Sequence, residues 1–394
     1  MAESASGVRR LRHVEGLDII RFAAALMVVF YHFAYWYWHD CKCVDAKFPS
    51  LIPYSWWGWV GVPVFFVISG FVIALSAEGR TASDFFRGRL LRLAPALWFF
   101  ATLSFLVLLI TKEDSLPRAG LLFAKSVVLW PVGPWVDGVY WSLTVEVLFY
   151  AIIFVLLASR RFDQLWVFAK VWFILTTFFA AICLIDLYWN SAGNFAAALH
   201  RVRDSYASRY LLLTTGPYFV VGLTTYFIYR HGVSLARLAV LSVSFLAAEV
   251  SIYFHALPME PTEHFGVSPF VPGLIFSVAM LLIAVSLIME QKSFSCAGAS
   301  FSPIVRVLGL ASYSLYLVHF ITGRWIFTLL LAQGFPKIPA MMLAVGLCIG
   351  AAVLFVLALE TRIRARLASG YDRAAALMRG TGATPSVQLA SRRV

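Results

Sequence analysis

Long apolar runs, each broken by charge, glycine or proline after about twenty residues, constrain this chain more than any other feature. A bilayer core is about 30 Å thick, and about 20 apolar residues cross it as a helix. Backbone polar groups in lipid must be satisfied internally, so such runs predict transmembrane helices. Ten are predicted, at about 17–38, 58–77, 92–111, 139–158, 165–188, 209–229, 234–254, 269–289, 305–329 and 338–360.

The composition excludes a disordered chain and argues against a soluble enzyme. Of the 394 residues, 61% are hydrophobic and 13% are charged, against about 25% charged in a typical soluble domain. The apolar runs are continuous, unlike the alternating pattern of an outer-membrane barrel. We therefore predict an all-α fold, a polytopic transmembrane helical bundle of about ten spans. The apolar segment 119–135 contains Pro131 and Pro134; it is predicted to be re-entrant or interfacial, and the alternative is a further span.

The distribution of basic residues predicts the orientation. With a cytoplasmic N-terminus, the cytoplasmic segments carry about twice as many Lys and Arg residues as the outer ones. This bias follows the positive-inside rule and places both termini in the cytoplasm. The net charge of +12 is thus explained without nucleic acid. The predicted organisation is a cytoplasmic segment 1–16, a membrane domain 17–360, and a basic cytoplasmic tail 361–394 that is partly disordered and partly on the anionic inner leaflet.

Two cysteines lie in a polar loop. Cys41 and Cys43 follow His39 and Asp40, which leaves open either a disulfide or a metal site. No second ligand pair at zinc spacing accompanies them, so we expect no metal.

Ionisable residues inside the predicted spans are the first functional candidates, since charge is costly in lipid. Asp18, Arg21 and His32 lie in the first run. Their spacing places all three on one helix face. A cleaved signal peptide is a weaker interpretation of this run, because these polar residues interrupt it and it is long for that role. The alternative to a functional role is a buried ion pair that only fixes helix packing.

Two later spans carry further candidates. Ser142 and Glu146 share a face in the fourth span, and Ser312, Tyr316 and His319 share one in the ninth. In the predicted orientation the two histidines and the glutamate lie at similar depth on three helices. Glu146 is expected to orient His32 or to bind an acceptor, or simply to pair with a buried Arg or Tyr.

Arg89 and Arg92 lie at the cytoplasmic end of the third span. They are three residues apart, so both guanidinium groups can face one phosphate-bearing ligand. On this segment alone, ordinary positive-inside anchoring is the simpler explanation.

Five motifs occur in order along the chain. They are LDIIRFAA at 17–24 with Tyr31-His32, GVPVFFVISGF at 61–71, RLLR at 89–92 before Leu93-Ala94-Pro95, WSLTVE at 141–146, and SYSLYLVH at 312–319. Together they resemble membrane-bound acyltransferase family 3, O-acetyltransferases that modify surface polysaccharides and related acceptors. The resemblance covers about residues 14–360. Val147-Leu148 follows the fourth motif where many members have another Glu-Gln pair.

The resemblance implies an integral, multi-pass enzyme of the cytoplasmic (inner) membrane. Acyl-CoA, usually acetyl-CoA, would donate from the cytoplasm to a hydroxyl of a saccharide or glycolipid. Arg89 and Arg92 would hold the CoA head, and His32 would act as general base or receive the acyl group. Glu146 or His319 would orient the base or the acceptor.

The remaining motif residues are expected to support the substrates. Arg21 would be neutralised by Asp18 or would stabilise charge on the thioester oxygen. Asp18, Ser142, Ser312 and Tyr316 are expected to orient substrate. The region that resembles the family does not include the SGNH-type domain that some members carry. A separate partner enzyme or a homo-oligomer is therefore a further expectation.

Other classes stay open at this stage. Intramembrane His, Glu and Arg residues also mark a proton-coupled transporter, and a non-enzymatic scaffold is a third class. Tryptophans of the first outer loop are predicted either to stack on sugar rings or, more simply, to form an interfacial aromatic belt. They are Trp36, Trp38, Trp56, Trp57 and Trp59.

Overall fold

The computed structural model describes residues 14–189, 199, 201–203, 205–259, 267–293 and 303–378. Within these ranges the chain is helical and has no β-strand, which confirms the all-α prediction. The helices longer than eight residues are α1 Glu15–Tyr31, α2 Gly61–Ala77, α3 Ala82–Thr111, α4 Leu116–Val127, α5 Tyr140–Ala158, α6 Leu165–Trp189, α7 Gly216–His231, α8 Leu235–Ala256, α9 Val271–Ser293, α10 Pro303–Val318, α11 Ile321–Ala332, α12 Lys337–Leu354 and α13 Thr361–Met378.

The described ranges contain eight helical segments that are long and apolar enough to cross a membrane, and nine if α10 and α11 form one bent span. The predicted span 209–229 accounts for the difference from ten. Its helical part, α7, has sixteen residues, which is about 24 Å of helix and shorter than a bilayer core.

The ninth predicted span, 305–329, is broken rather than straight. The axes of α10 and α11 differ by 71°, and the break lies at His319 and Phe320. The Tyr37 hydroxyl donates to the carbonyl oxygens of His319 at 2.9 Å and Phe320 at 2.8 Å. Asp137 accepts the backbone N–H of Ile321 at 3.2 Å. These side chains supply partners for backbone groups at the break, so the bend is stable inside the bundle.

Segment 119–135 contains one short helix, α4. Its twelve residues span about 18 Å, too little to cross a bilayer. It packs on α3, where Trp98 donates its indole N–H to the Val127 carbonyl at 2.9 Å. Ser126 Oγ accepts the Val136 N–H at 2.8 Å and fixes the loop that follows. The described geometry favours the re-entrant or interfacial interpretation.

α1 lies at the centre of the bundle and packs against α2, α9 and α10. A π-helical turn, His32–Trp36, extends it at its end. α2 in turn packs backbone to backbone on α7, because a Cβ added to Gly222 would lie 2.9 Å from the Gly70 Cα. Small residues permit such close helix contacts in membranes. The polar side chains of α1 therefore face protein.

The helix that begins at α12 continues across the predicted domain boundary at residue 360. A π-helical turn, Phe355–Glu360, joins α12 to α13 without a break. Arg87 on α3 donates two hydrogen bonds to Asp372 on α13, at 2.9 and 2.8 Å. The first half of the basic tail is thus a helix packed on α3, and residues 379–394 lie outside the described ranges.

Candidate functional site

Two cavities lie on either side of a common wall. The inner cavity has a volume of about 200 Å³ and the outer one about 830 Å³. Val62, Phe66 and Tyr316 line both cavities. Arg21 lines the inner cavity and His32 the outer one. These two residues are eleven positions apart on α1, about 16 Å along its axis.

The inner cavity is lined by arginines from three helices. They are Arg21 on α1, Arg89 and Arg92 on α3, and Arg364 on α13. Among the described residues, the buried Nε atoms of Arg21 and Arg89 have no hydrogen-bond partner. A buried N–H group without a partner is costly, so this cavity suits an anion that accepts several hydrogen bonds. Arg89 and Arg92 thus line the same cavity, as their spacing predicted, and Arg21 lines it too.

Glu146 also lines the inner cavity, and its hydrogen bonds there are to hydroxyl groups. Its Oε1 accepts from Ser69 Oγ and from Tyr150 OH, each at 2.7 Å. His32 lines the other cavity. The expectation that Glu146 meets His32 at one depth is therefore wrong: Glu146 lies one turn further along α5 than Ser142, which reaches the common wall.

His32 contacts the second predicted histidine directly. His32 Nδ1 lies 3.1 Å from His319 Nε2 and 2.9 Å from the Val28 carbonyl oxygen. His319 Nδ1 lies 2.9 Å from the Tyr316 carbonyl oxygen. A carbonyl only accepts, so each Nδ1 carries the proton, and His319 Nε2 accepts from His32 Nδ1–H. The nitrogen of His32 left to act as a base is Nε2.

The histidine pair has an aromatic environment. The ring centres of Tyr31, Trp36 and Phe320 lie 5.0, 5.6 and 4.9 Å from that of His32. His319 is fully buried behind His32, which is itself 9% exposed. These contacts hold the His32 ring in one orientation toward the outer cavity, as a catalytic group requires.

Tyr316 and Ser142 form the polar part of the wall between the cavities. The Tyr316 OH lies 2.7 Å from Ser142 Oγ and 3.2 Å from the Val139 carbonyl oxygen. Ser312 lines the inner cavity and donates to the Gly309 carbonyl at 2.7 Å. Three of the four predicted orienting residues thus line the inner cavity, and Tyr316 lines both cavities.

Asp18 does not share the predicted position of its neighbours on α1. It is buried against Gly309 of α10, where a Cβ would overlap its carboxyl group. It lines neither cavity. The three residues of this helix face therefore do not share one site: Arg21 and His32 line different cavities, and close packing on Gly309 takes the Asp18 side chain to the α1–α10 interface, away from any substrate-orienting position in either cavity.

The outer cavity contains two of the five loop tryptophans, Trp36 and Trp59, together with Trp141 of the fourth span. The guanidinium of Arg209, which also lines the cavity, lies 4.9 Å from the Trp141 ring centre. Trp56 is instead fully buried in the protein. The outer loop therefore contributes to a cavity as well as to the surface.

Sequence reasoning missed two features near the site. Arg364 lies beyond the last motif, so motif spacing pointed away from it. Asp137 is fully buried and holds the α10–α11 break, although its position just before the WSLTVE motif could have drawn attention. Cys41 and Cys43 form a disulfide, the first of the two alternatives for that loop.

The model of the acyltransferase 3 family, described as an acyltransferase domain, matches residues 14–360. The chain belongs to this family. It is an all-helical membrane acyltransferase whose family motifs supply the walls of both cavities. No significant match is found among curated proteins or among solved structures.

Proposed function

We propose that the protein transfers an acyl group, most simply acetyl, from cytoplasmic acyl-CoA to a hydroxyl of a saccharide or glycolipid. The observation that carries this proposal is the pair of cavities with the shared wall at Tyr316. One cavity offers buried guanidinium groups to an anionic donor, and the other presents a histidine base to an acceptor.

In this proposal the arginine cavity faces the cytoplasm, with both termini on that side of the inner membrane and about ten crossings. The excess of basic residues on the predicted cytoplasmic segments supports this orientation. Arg89 and Arg92 would hold the phosphates, and the narrow arm of the donor would reach toward Tyr316. Arg21, with its unpartnered buried Nε, would add a further guanidinium group to this donor cavity.

His32 would act as the general base. Its Nε2 would take the proton of the acceptor hydroxyl as the oxygen attacks the thioester carbon. The C–S bond would break, and the proton would pass to the leaving sulfur, which gives free CoA and an ester. His319 would hold His32 in the required tautomer through the Nδ1–Nε2 hydrogen bond. Positioned proton transfer contributes about 10²- to 10⁴-fold to rate.

The outer cavity supports a saccharide acceptor. Trp36, Trp59 and Trp141 present aromatic faces on which sugar rings can stack, and the volume of about 830 Å³ accommodates more than one ring.

The test uses the purified protein in proteoliposomes with acetyl-CoA and a surface-glycan acceptor. A thiol reagent measures free CoA, and mass spectrometry detects an added acetyl group. His32→Ala should lower transfer at least a hundredfold while insertion is unchanged. His231→Ala, at an exposed histidine of α7, is the matched control and should be active. Undiminished transfer by the His32 variant, or substrate transport without CoA release, would overturn the proposal.

A further inference from the structure

α13 brings an arginine to the inner cavity from outside the region that the family model matches. Arg364 is an exposed residue that nonetheless lines this cavity, so it lies where the cavity opens. The family match ends at residue 360. Arg362 and Arg366 lie on the same helix but do not line the cavity. Of these three arginines of α13, Arg364 is thus the one that the structure places at the cavity.

Packing on α3 fixes the position of α13. The carboxylate of Asp372 accepts from Nε and Nη2 of Arg87 in a two-point contact. Ser83 Oγ and Tyr371 OH lie 3.3 Å apart beside it. An exposed ion pair stabilises little by itself, but the two-point geometry sets the register of α13 on α3. That register brings Arg364 to the cavity that Arg89 and Arg92 of α3 also line.

The charge balance of the cavity indicates what it accepts. Four guanidinium groups face one carboxylate, Glu146, which already accepts from Ser69 and Tyr150. In the described residues no ion pair involves Arg364, Arg89 or Arg92. A single phosphate monoester carries about −1.5 to −2 charge at pH 7. A ligand with more than one phosphate group matches this excess of positive charge better than a single phosphate monoester does.

We infer that Arg364 is a binding residue for the phosphate-bearing end of the acyl donor, so that α13 forms part of the donor site. This inference rests on the proposed function. It makes the chain beyond residue 360 a contributor to the donor affinity rather than only a membrane-surface anchor. An anionic lipid headgroup offers the same phosphate chemistry, and the experiment separates the two sources.

The experiment compares Arg364→Gln with Arg366→Gln in proteoliposomes of zwitterionic lipid. Acetyl-CoA is one donor, and acetyl-pantetheine, which has no phosphate, is the other. Arg364→Gln should raise KM for acetyl-CoA about tenfold with little change in kcat, because one charge-assisted contact is lost. Its KM for acetyl-pantetheine should equal that of the unchanged protein. Arg366→Gln should leave both values unchanged.

Several results would overturn the inference. An unchanged KM for acetyl-CoA removes Arg364 from the donor site, and equal losses with both donors show a general effect on folding. An equal effect of Arg366→Gln shows a nonspecific contribution of charge. If anionic lipid vesicles lose affinity for Arg364→Gln while KM for acetyl-CoA stays constant, the phosphate belongs to lipid. If the unchanged protein uses neither donor, the proposed function itself fails, which is a distinguishable outcome.

Discussion

Replacement of His319 by Ala tests whether the histidine pair works as a unit. The substitution removes the Nε2 atom that lies 3.1 Å from His32 Nδ1, at a fully buried position. When a buried hydrogen-bond donor loses an acceptor, the loss costs about 1–3 kcal/mol. If that energy holds His32 in its reactive tautomer, the loss corresponds to about 5- to 150-fold in kcat. It is smaller than the loss expected for His32→Ala, because the base itself remains.

The assay is acetyl-CoA turnover in proteoliposomes, with kcat and KM determined separately. His319→Gln is the matched variant, since its side-chain oxygen can accept near the position of the lost Nε2. It should recover most of the activity, while Ala should lower kcat with KM for acetyl-CoA nearly constant. Thermal unfolding in detergent monitors the fold of both variants. Equal activity of all three proteins, or equal losses for Ala and Gln, would refute the role of this hydrogen bond.

Three further outcomes are expected. Gly222→Leu should lower the unfolding temperature by several degrees, because the added side chain separates α2 from α7 at Gly70. Gly346→Leu should not lower it, because a Cβ at that position meets no other atom within 4 Å. Burial raises the pKa of Asp137 from 3.8 to about 7. The stability that its proton contributes to the folded protein is therefore complete below pH 4 and is lost as the pH rises to 7. Asp137→Asn should make the unfolding temperature less dependent on pH over that range. Tyr316→Phe should cost about 1–3 kcal/mol in unfolding free energy, measured by denaturant titration, because the contacts of its hydroxyl with Ser142 and with the Val139 carbonyl are both lost.

The span pattern and the family motifs were predictable from sequence because lipid imposes a strong and local rule on composition. The same rule fails at the α10–α11 break. Apolar composition there continues through His319 and Phe320, and the bend depends on Tyr37 and Asp137, which lie far away in sequence. Hydropathy predicts whether a segment lies in the membrane. It does not predict which distant side chains hydrogen-bond to the backbone of that segment.

Helical periodicity and depth brought His32 and His319 to similar heights, but not into contact. Depth in the membrane is only one coordinate. A direct hydrogen bond also depends on how each of the two helices is oriented about its own axis. The same limitation explains Glu146, whose estimated height was close to that of His32 although it lies in the other cavity. Asp18 was misassigned because its close neighbour, Gly309, has no side chain to signal an interface.

The wall at Tyr316, Val62 and Phe66 has a bioenergetic consequence. An enzyme that handles a donor and an acceptor from opposite faces must keep the membrane tight to protons and ions at every stage of turnover. The residues that line both cavities are two with apolar side chains, Val62 and Phe66, and Tyr316, whose hydroxyl is hydrogen-bonded to Ser142. If the arm of the donor displaces the contact between Tyr316 and Ser142, the same arm would have to fill the opening between the two cavities. Substrate occupancy, rather than a closed protein gate, would then preserve the electrochemical gradient during transfer.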